Sequence, residues 1–209
     1  VNPTLDLDGA EEEGKRIEAL FGPRPDVRLT IIHGHQATRD RLRKEFSSGR
    51  YDILHYTGHA AFVPSQPSRS GIVCSDGPLT GAELVELGNL PSVVFFNACE
   101  SARVRKQVID KGPRVTRDIH DRIERGVGLA EAFMRGGVAN YIGTYWPVGD
   151  LPAKTFASVF YQKVLDGDTL AQALSAARFE IDKLRSEDWA DYIYYGSVDF
   201  AVKETSSHP

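Results

Sequence analysis

Asp52-Ile53-Leu54-His55-Tyr56-Thr57-Gly58-His59-Ala60 opens as a hydrophobic strand and closes in small residues around a histidine. A second stretch has the same form: Leu90-Pro91-Ser92-Val93-Val94-Phe95-Phe96-Asn97-Ala98-Cys99-Glu100-Ser101. Each reads as a strand, over 53–57 and 93–97, that stops at a turn. His59 and Cys99 are then expected where strands end. If the strands are neighbours in a parallel sheet, the two side chains meet at its carboxyl edge, where ligands gather in open α/β folds. A thiol beside an imidazole is the minimum equipment for acyl transfer by a thiolate.

Working outward, residues 8–20 place acids first and Lys15 and Arg16 later, a helix that Gly22-Pro23 stops. Residues 27–32 are β-branched and half-alternating, which predicts a strand. A helix over 37–46 takes Thr38 as its cap and ends at Ser47-Ser48-Gly49. Strand, helix, strand implies a right-handed parallel crossover into 53–57. Beyond a loop at 64–70, Gly71-Ile72-Val73-Cys74 and Ser75-Asp76-Gly77 predict a small hairpin. A helix over 80–87 has Thr80 as N-cap and Glu83 at the capping-box position. Residues 103–126 are dense in charge and poor in large apolar side chains, a charged loop or insertion. Then come a helix over 128–134 closed by Gly136-Gly137, a strand over 138–144, helices over 153–165 and 170–184, and a last strand within 189–197. The tail from 203 should be loose. The expected class is α/β: one domain over 1–209, with a mostly parallel central sheet and helices on both faces.

The 209 residues are 41% hydrophobic and 26% charged, with a formal net charge of −4. Such a balance is ordinary for a globular protein and argues against direct nucleic-acid binding. No apolar stretch approaches the ~20 residues of a membrane span, and no signal peptide is visible. The first residue is Val1, which suggests a piece of something longer. Cys74 and Cys99 read as free thiols of a cytoplasmic protein. His55 and His59 would suit a metal on a helix, but a strand holds them far apart and no third ligand completes a set. Neither a metal nor a cofactor is expected. Small residues at Gly58, Ala60 and Ala98 would admit a substrate backbone. The amides of Cys99 and Ala60, or less readily Gly58, are the donors that a tetrahedral oxyanion would need. A buried hydrophobic cysteine and a structural histidine would leave the same residues in place.

The chain as a whole resembles the CHAT family, caspase-like peptidase domains related to separase and often attached to tetratricopeptide repeats. The resemblance runs from about Gly9 to Phe200 and rests on ordered blocks. Early ones are Ala37-Thr38, the stretch from Tyr51 to His59, Gly71-Ile72-Val73 and Leu79-Thr80-Gly81-Ala82-Glu83-Leu84. Later ones are Phe96-Asn97-Ala98-Cys99-Glu100-Ser101, Gly128-Leu129-Ala130-Glu131-Ala132-Phe133, Val138 to Val148 and Trp189-Ala190-Asp191-Tyr192. It implies a caspase-like fold with His59 as base and Cys99 as nucleophile. The family commonly has Gly after that histidine, and here Ala60 stands there. Asp150, four residues after Trp146, matches an aspartate that would select Arg or Lys before the cut bond. A helix N-cap is the other reading of Asp150. Arg105, Lys106 and Arg114 lie where a cleavable linker would be. The implied partners are a protein substrate and an upstream repeat or sensor module. The rival functions are a silent caspase-like scaffold and a thiol amidohydrolase or acyltransferase for small molecules.

Overall fold

A computed structural model describes residues 2–61, 69–99, 129–144 and 148–202, with the backbone alone at Ala98 and Cys99. The expectations for residues 62–68, 103–126 and 203–209 lie outside that set, as does Trp146. In chain order the strands are β1 (Ile53–Ala61), β2 (Gly71–Cys74), β3 (Gly77–Thr80), β4 (Val93–Cys99), β5 (Asn140–Thr144) and β6 (Tyr192–Tyr195). They form one sheet in the order β3-β2-β1-β4-β5-β6. The helices are α1 (Asp8–Phe21), α2 (Arg39–Phe46), α3 (Gly81–Glu86), α4 (129–135), α5 (Asp150–Leu165) and α6 (Leu170–Lys183).

Local chemistry places most of these elements. The Thr38 side chain accepts the Arg41 N–H at the start of α2. Thr80 and Glu83 form the full capping box of α3, each side chain bonding the other's backbone N–H. The β2–β3 hairpin turns at Ser75-Asp76 with Gly77 at φ 135°, a backbone angle that favours glycine. Gly137, at φ 102°, closes α4.

Strand alternation then divides the core in two. On one face Ile53, Val93, Phe95 and Ile142 pack against Ile17 and Phe21 of α1, Phe156, Phe160 and Tyr161 of α5, and Leu170 and Ala177 of α6. On the other, Leu54, Tyr56, Val94, Phe96 and Tyr141 pack against Leu42 and Phe46 of α2, Leu84 of α3 and Phe133 of α4. Helices cover both faces, as the alternating pattern implies.

The α/β class holds, with β1–β4 and β4–β5 paired parallel at the centre of a sheet that is mixed overall, since β1–β2, β2–β3 and β5–β6 pair antiparallel. A two-residue connection such as Ser75-Asp76 can join only antiparallel strands. Two other expectations are corrected. Residues 27–32 do not enter the sheet, so no crossover leads from them into β1. Val27 packs on the α1 side of the sheet and Ile32 on the other. Leu29 and Ile31 stay 37% and 43% exposed. Without one buried set of alternate side chains, β-branched composition alone does not make a strand. Finally, β1 does not stop at Thr57 but continues to Ala61. Pairing of Ala60 with Ile72 and of Ala61 with Gly71 extends it, so His59 lies within the strand and not in a turn after it.

Candidate active site

β1 and β4 run parallel in unbroken register from Ile53 opposite Val93 to His59 opposite Cys99. Neighbouring strands lie ~4.8 Å apart, and paired residues project to the same face. The backbones of His59 and Cys99 are thus adjacent, despite their separation along the chain. Alternation puts His55, Thr57 and His59 of β1, with Phe95 and Asn97 of β4, on the face that α1 covers. Cys99 is the last described residue of its strand.

Polar groups lie beneath that pair. Glu13 of α1 is only 2% exposed, and its Oε2 accepts a hydrogen bond from Asn97 Nδ2 at 2.8 Å. Its Oε1 stands 2.8 Å from His55 Nε2, the separation of an ion pair without the alignment of a hydrogen bond. His55 Nδ1 shares a 3.0 Å hydrogen bond with the Tyr161 hydroxyl of α5. The ring also stacks on Phe95, with centroids 4.8 Å apart. Burial, and then the nearby Glu13 carboxylate, push the Tyr161 phenol well above its ordinary range, so it stays a neutral hydroxyl. A buried carboxylate is tolerable only with such partners.

His59 is itself buried, and its two ring nitrogens differ. Nε2 lies 3.0 Å from Asp6 Oδ1, on the segment that leads into α1. Nδ1 is buried and meets no hydrogen-bonding partner among the described residues. The His59 carbonyl accepts from the Tyr56 hydroxyl at 2.8 Å, and that hydroxyl also lies 2.9 Å from the Val73 carbonyl of β2. Burial raises the Tyr56 phenol far above its usual range, which keeps the proton that makes these bonds.

The remaining expected site residues fall as follows. Gly58 is buried on the α2 side of β1, the face opposite His59. A Cβ there would come within 2.6 Å of the Tyr56 hydroxyl and 3.1 Å of Pro3 Cδ. The packing of Tyr56 therefore explains this glycine without a substrate. Ala60 pairs with Ile72 at the start of the hairpin. Asp150 is exposed in the first turn of α5, and the cap position belongs to Gly149, whose N–H donates to Asp188 Oδ2 at 3.1 Å. The N-cap reading of Asp150 is thereby corrected: its carboxylate instead lies over Gly9, where a Cβ would be 2.3 Å from Oδ1. Cys74 is a free thiol, 2% exposed, and burial pushes it up to about 12.

Sequence reading missed Asp6, Glu13 and Tyr161 and took His55 only as an improbable metal ligand. The run Glu11-Glu12-Glu13 carries no sign of which acid turns inward. Among the described residues no three His, Cys, Asp or Glu side chains cluster as a metal site.

His59 and Cys99 are paired in register on the central parallel strands of a mixed α/β sheet. The CHAT domain model matches residues 2–197, and the chain belongs to that caspase-like, peptidase-related family. No curated protein matches it. Among the described residues no helix is long and apolar enough to cross a membrane.

Proposed function

We propose that the chain is a cysteine endopeptidase that cuts a protein partner through a His59–Cys99 dyad. The observation that carries this reading is the β1–β4 register, which sets His59 directly opposite Cys99. The imidazole accepts the thiol proton, and the thiolate sulfur attacks the scissile carbonyl. The tetrahedral oxyanion collapses to a thioester as the amine departs with the proton from the imidazolium. Water, deprotonated by the same ring, then hydrolyses the thioester. The amides of Cys99 and Ala60 are the donors assigned to the oxyanion. No step calls for a metal or cofactor.

Selection of Arg or Lys before the cut bond is assigned to Asp150, an exposed carboxylate at a helix start that is open to a cationic side chain. Control by an upstream sensor module and a cytosolic setting belong to the same reading.

The test is labelling and turnover. A peptide acyloxymethyl ketone with Arg at its reactive end should modify one equivalent of thiol, because Cys74 is buried and protonated at neutral pH. The label and all peptide hydrolysis should vanish in Cys99→Ala, and hydrolysis should fall at least ~10³-fold in His59→Ala. Asp150→Ala should lower kcat/KM for Arg and Lys peptides about tenfold or more. Wild-type protein that takes no label and cuts no peptide in a library would favour the scaffold. Turnover confined to small amides would favour the other thiol enzymes.

A further inference from the structure

The segment before α1 is built to bring one carboxylate onto His59. Asn2 is 3% exposed, and its backbone N–H donates to the Thr57 carbonyl of β1 at 2.7 Å. Its side-chain amide donates to Leu7 O at 3.1 Å, and its own carbonyl takes the Leu5 N–H at 3.1 Å. Asn2 and Leu5 both adopt positive φ, 45° and 58°. Asparagine enters that region readily, whereas for leucine it is strained. The Leu5 side chain lies against Gly34, where a Cβ would sit 2.8 Å from Leu5 Cδ2. The turn is thus fastened at both ends, and Asp6 is its product.

Asp6 Oδ1 meets His59 Nε2 at 3.0 Å and also accepts the Thr4 hydroxyl. The Thr4 hydrogen bond first, and the bond and charge of His59 after it, hold the Asp6 carboxyl below the usual range against the opposing cost of burial. Downstream, Glu13 of α1 ties to Asn97 and His55, and Glu12 pairs with Lys154 of α5. The helix that carries the turn is therefore fixed against the two strands that carry the dyad.

We propose that Asp6 is a positioning residue for His59. Its carboxylate takes the Nε2–H hydrogen bond, fixes the plane of the ring, and leaves buried Nδ1 as the nitrogen that exchanges a proton with Cys99. In this role Asp6 acts through the His59 ring and not on the reacting atoms themselves. A carboxylate behind an imidazole holds tautomer and orientation together, which matters because one misdirected ring removes the base. The Asp6 side chain is 54% exposed, so the contribution is smaller than that of a buried aspartate in a hydrolytic triad. This proposal rests on the reading of His59 as the base.

The experiment reads the ring and the rate separately. In protein with 15N-labelled histidine, wild type should show a downfield hydrogen-bonded Nε2–H proton on His59, and Asp6→Ala should lose it to solvent exchange. The variant should keep the wild-type melting profile, lower kcat by roughly 10- to 100-fold and leave KM within about twofold. Asp6→Glu should recover part of the rate. So should added formate in Asp6→Ala, because the site is half open to solvent. A ring proton that persists in Asp6→Ala, or an unchanged kcat in an active enzyme, overturns the proposal. If wild type cuts no peptide yet the ring proton depends on Asp6, the endopeptidase reading fails while the Asp6–His59 contact stands.

Discussion

The two faces of the central sheet are made by the same three strands, yet they hold their helices by different means. Toward α2, α3 and α4 the strands offer Leu54, Tyr56, Val94, Phe96 and Tyr141, and the aromatic rings stack or tilt against one another. A paired carboxylate there, Glu83, stays at the rim with its side chain 20% exposed. It receives the Thr80 N–H and hydroxyl and the Arg39 guanidinium. Toward α1 the same strands offer His55, Thr57 and Asn97, and the carboxylate of Glu13 is in the dark. Apolar packing is non-directional, whereas hydrogen bonds have preferred angles and distances. The face that carries His59 adds directional polar contacts to its own apolar cluster around Phe95 and Phe156, whereas the opposite face holds chiefly by apolar cohesion.

The sharpest way to break this contrast is to remove Glu13. Glu13→Leu keeps the bulk but leaves buried Asn97 and the largely covered His55 without their partner. Unfolding by urea should show a loss of about 3 kcal/mol, with any peptidase rate falling as well. A loss below about 1 kcal/mol would mean that the polar face is no more specified than the apolar one.

Next in size is Tyr56→Phe, which probes how the cohesive face reaches the site. Its ring stacks on Phe96 with centroids 5.1 Å apart and should stay in place. Only the hydroxyl shared by the His59 and Val73 carbonyls disappears. The expected cost is about 1–2 kcal/mol in thermal or urea unfolding. An unchanged stability would uncouple β1 from the hairpin at this point.

The smallest effect concerns the rim carboxylate. Burial opposes ionisation of Glu83, but the Thr80 and Arg39 hydrogen bonds outweigh it and hold the carboxyl down to about 2. A folded-state value below the unfolded one stabilises the fold above about pH 4.5, and that benefit is lost as pH falls toward 2. Glu83→Gln should be less stable than wild type at pH 7, and the two should converge across that window. Melting curves at several pH values check it. Curves that stay parallel from pH 7 to pH 2 would assign the capping box no share in acid stability.

Much of the architecture was readable because its signals are local. Thr38, Thr80 and Glu83 announce helix starts through their own short side chains, and Asp76-Gly77 announces a hairpin through backbone angles. The apolar runs at 53–57 and 93–97 mark the central strands, and the family resemblance implied a caspase-like fold around them. The strand expected at 27–32 failed because composition cannot report which alternate side chains find a core. The extension of β1 past His59 was hidden because it depends on pairing with Ile72 and Gly71. Gly58 and Ala60 looked alike as small residues near a reactive centre, yet Tyr56 gives Gly58 a packing reason of its own.

What the chain settled by itself were periodicity, caps and turns, together with the two strands on which a histidine and a cysteine ride. Those depend on neighbours within a few residues, where bonding geometry leaves little choice. Which acids serve the site was decided only in three dimensions. Glu11, Glu12 and Glu13 are adjacent in sequence, but they pair with His33, Lys154 and Asn97 respectively. Rotation of α1 about its axis against the sheet assigns each to its partner, because the one turned inward must find hydrogen bonds from remote strands to offset its lost water.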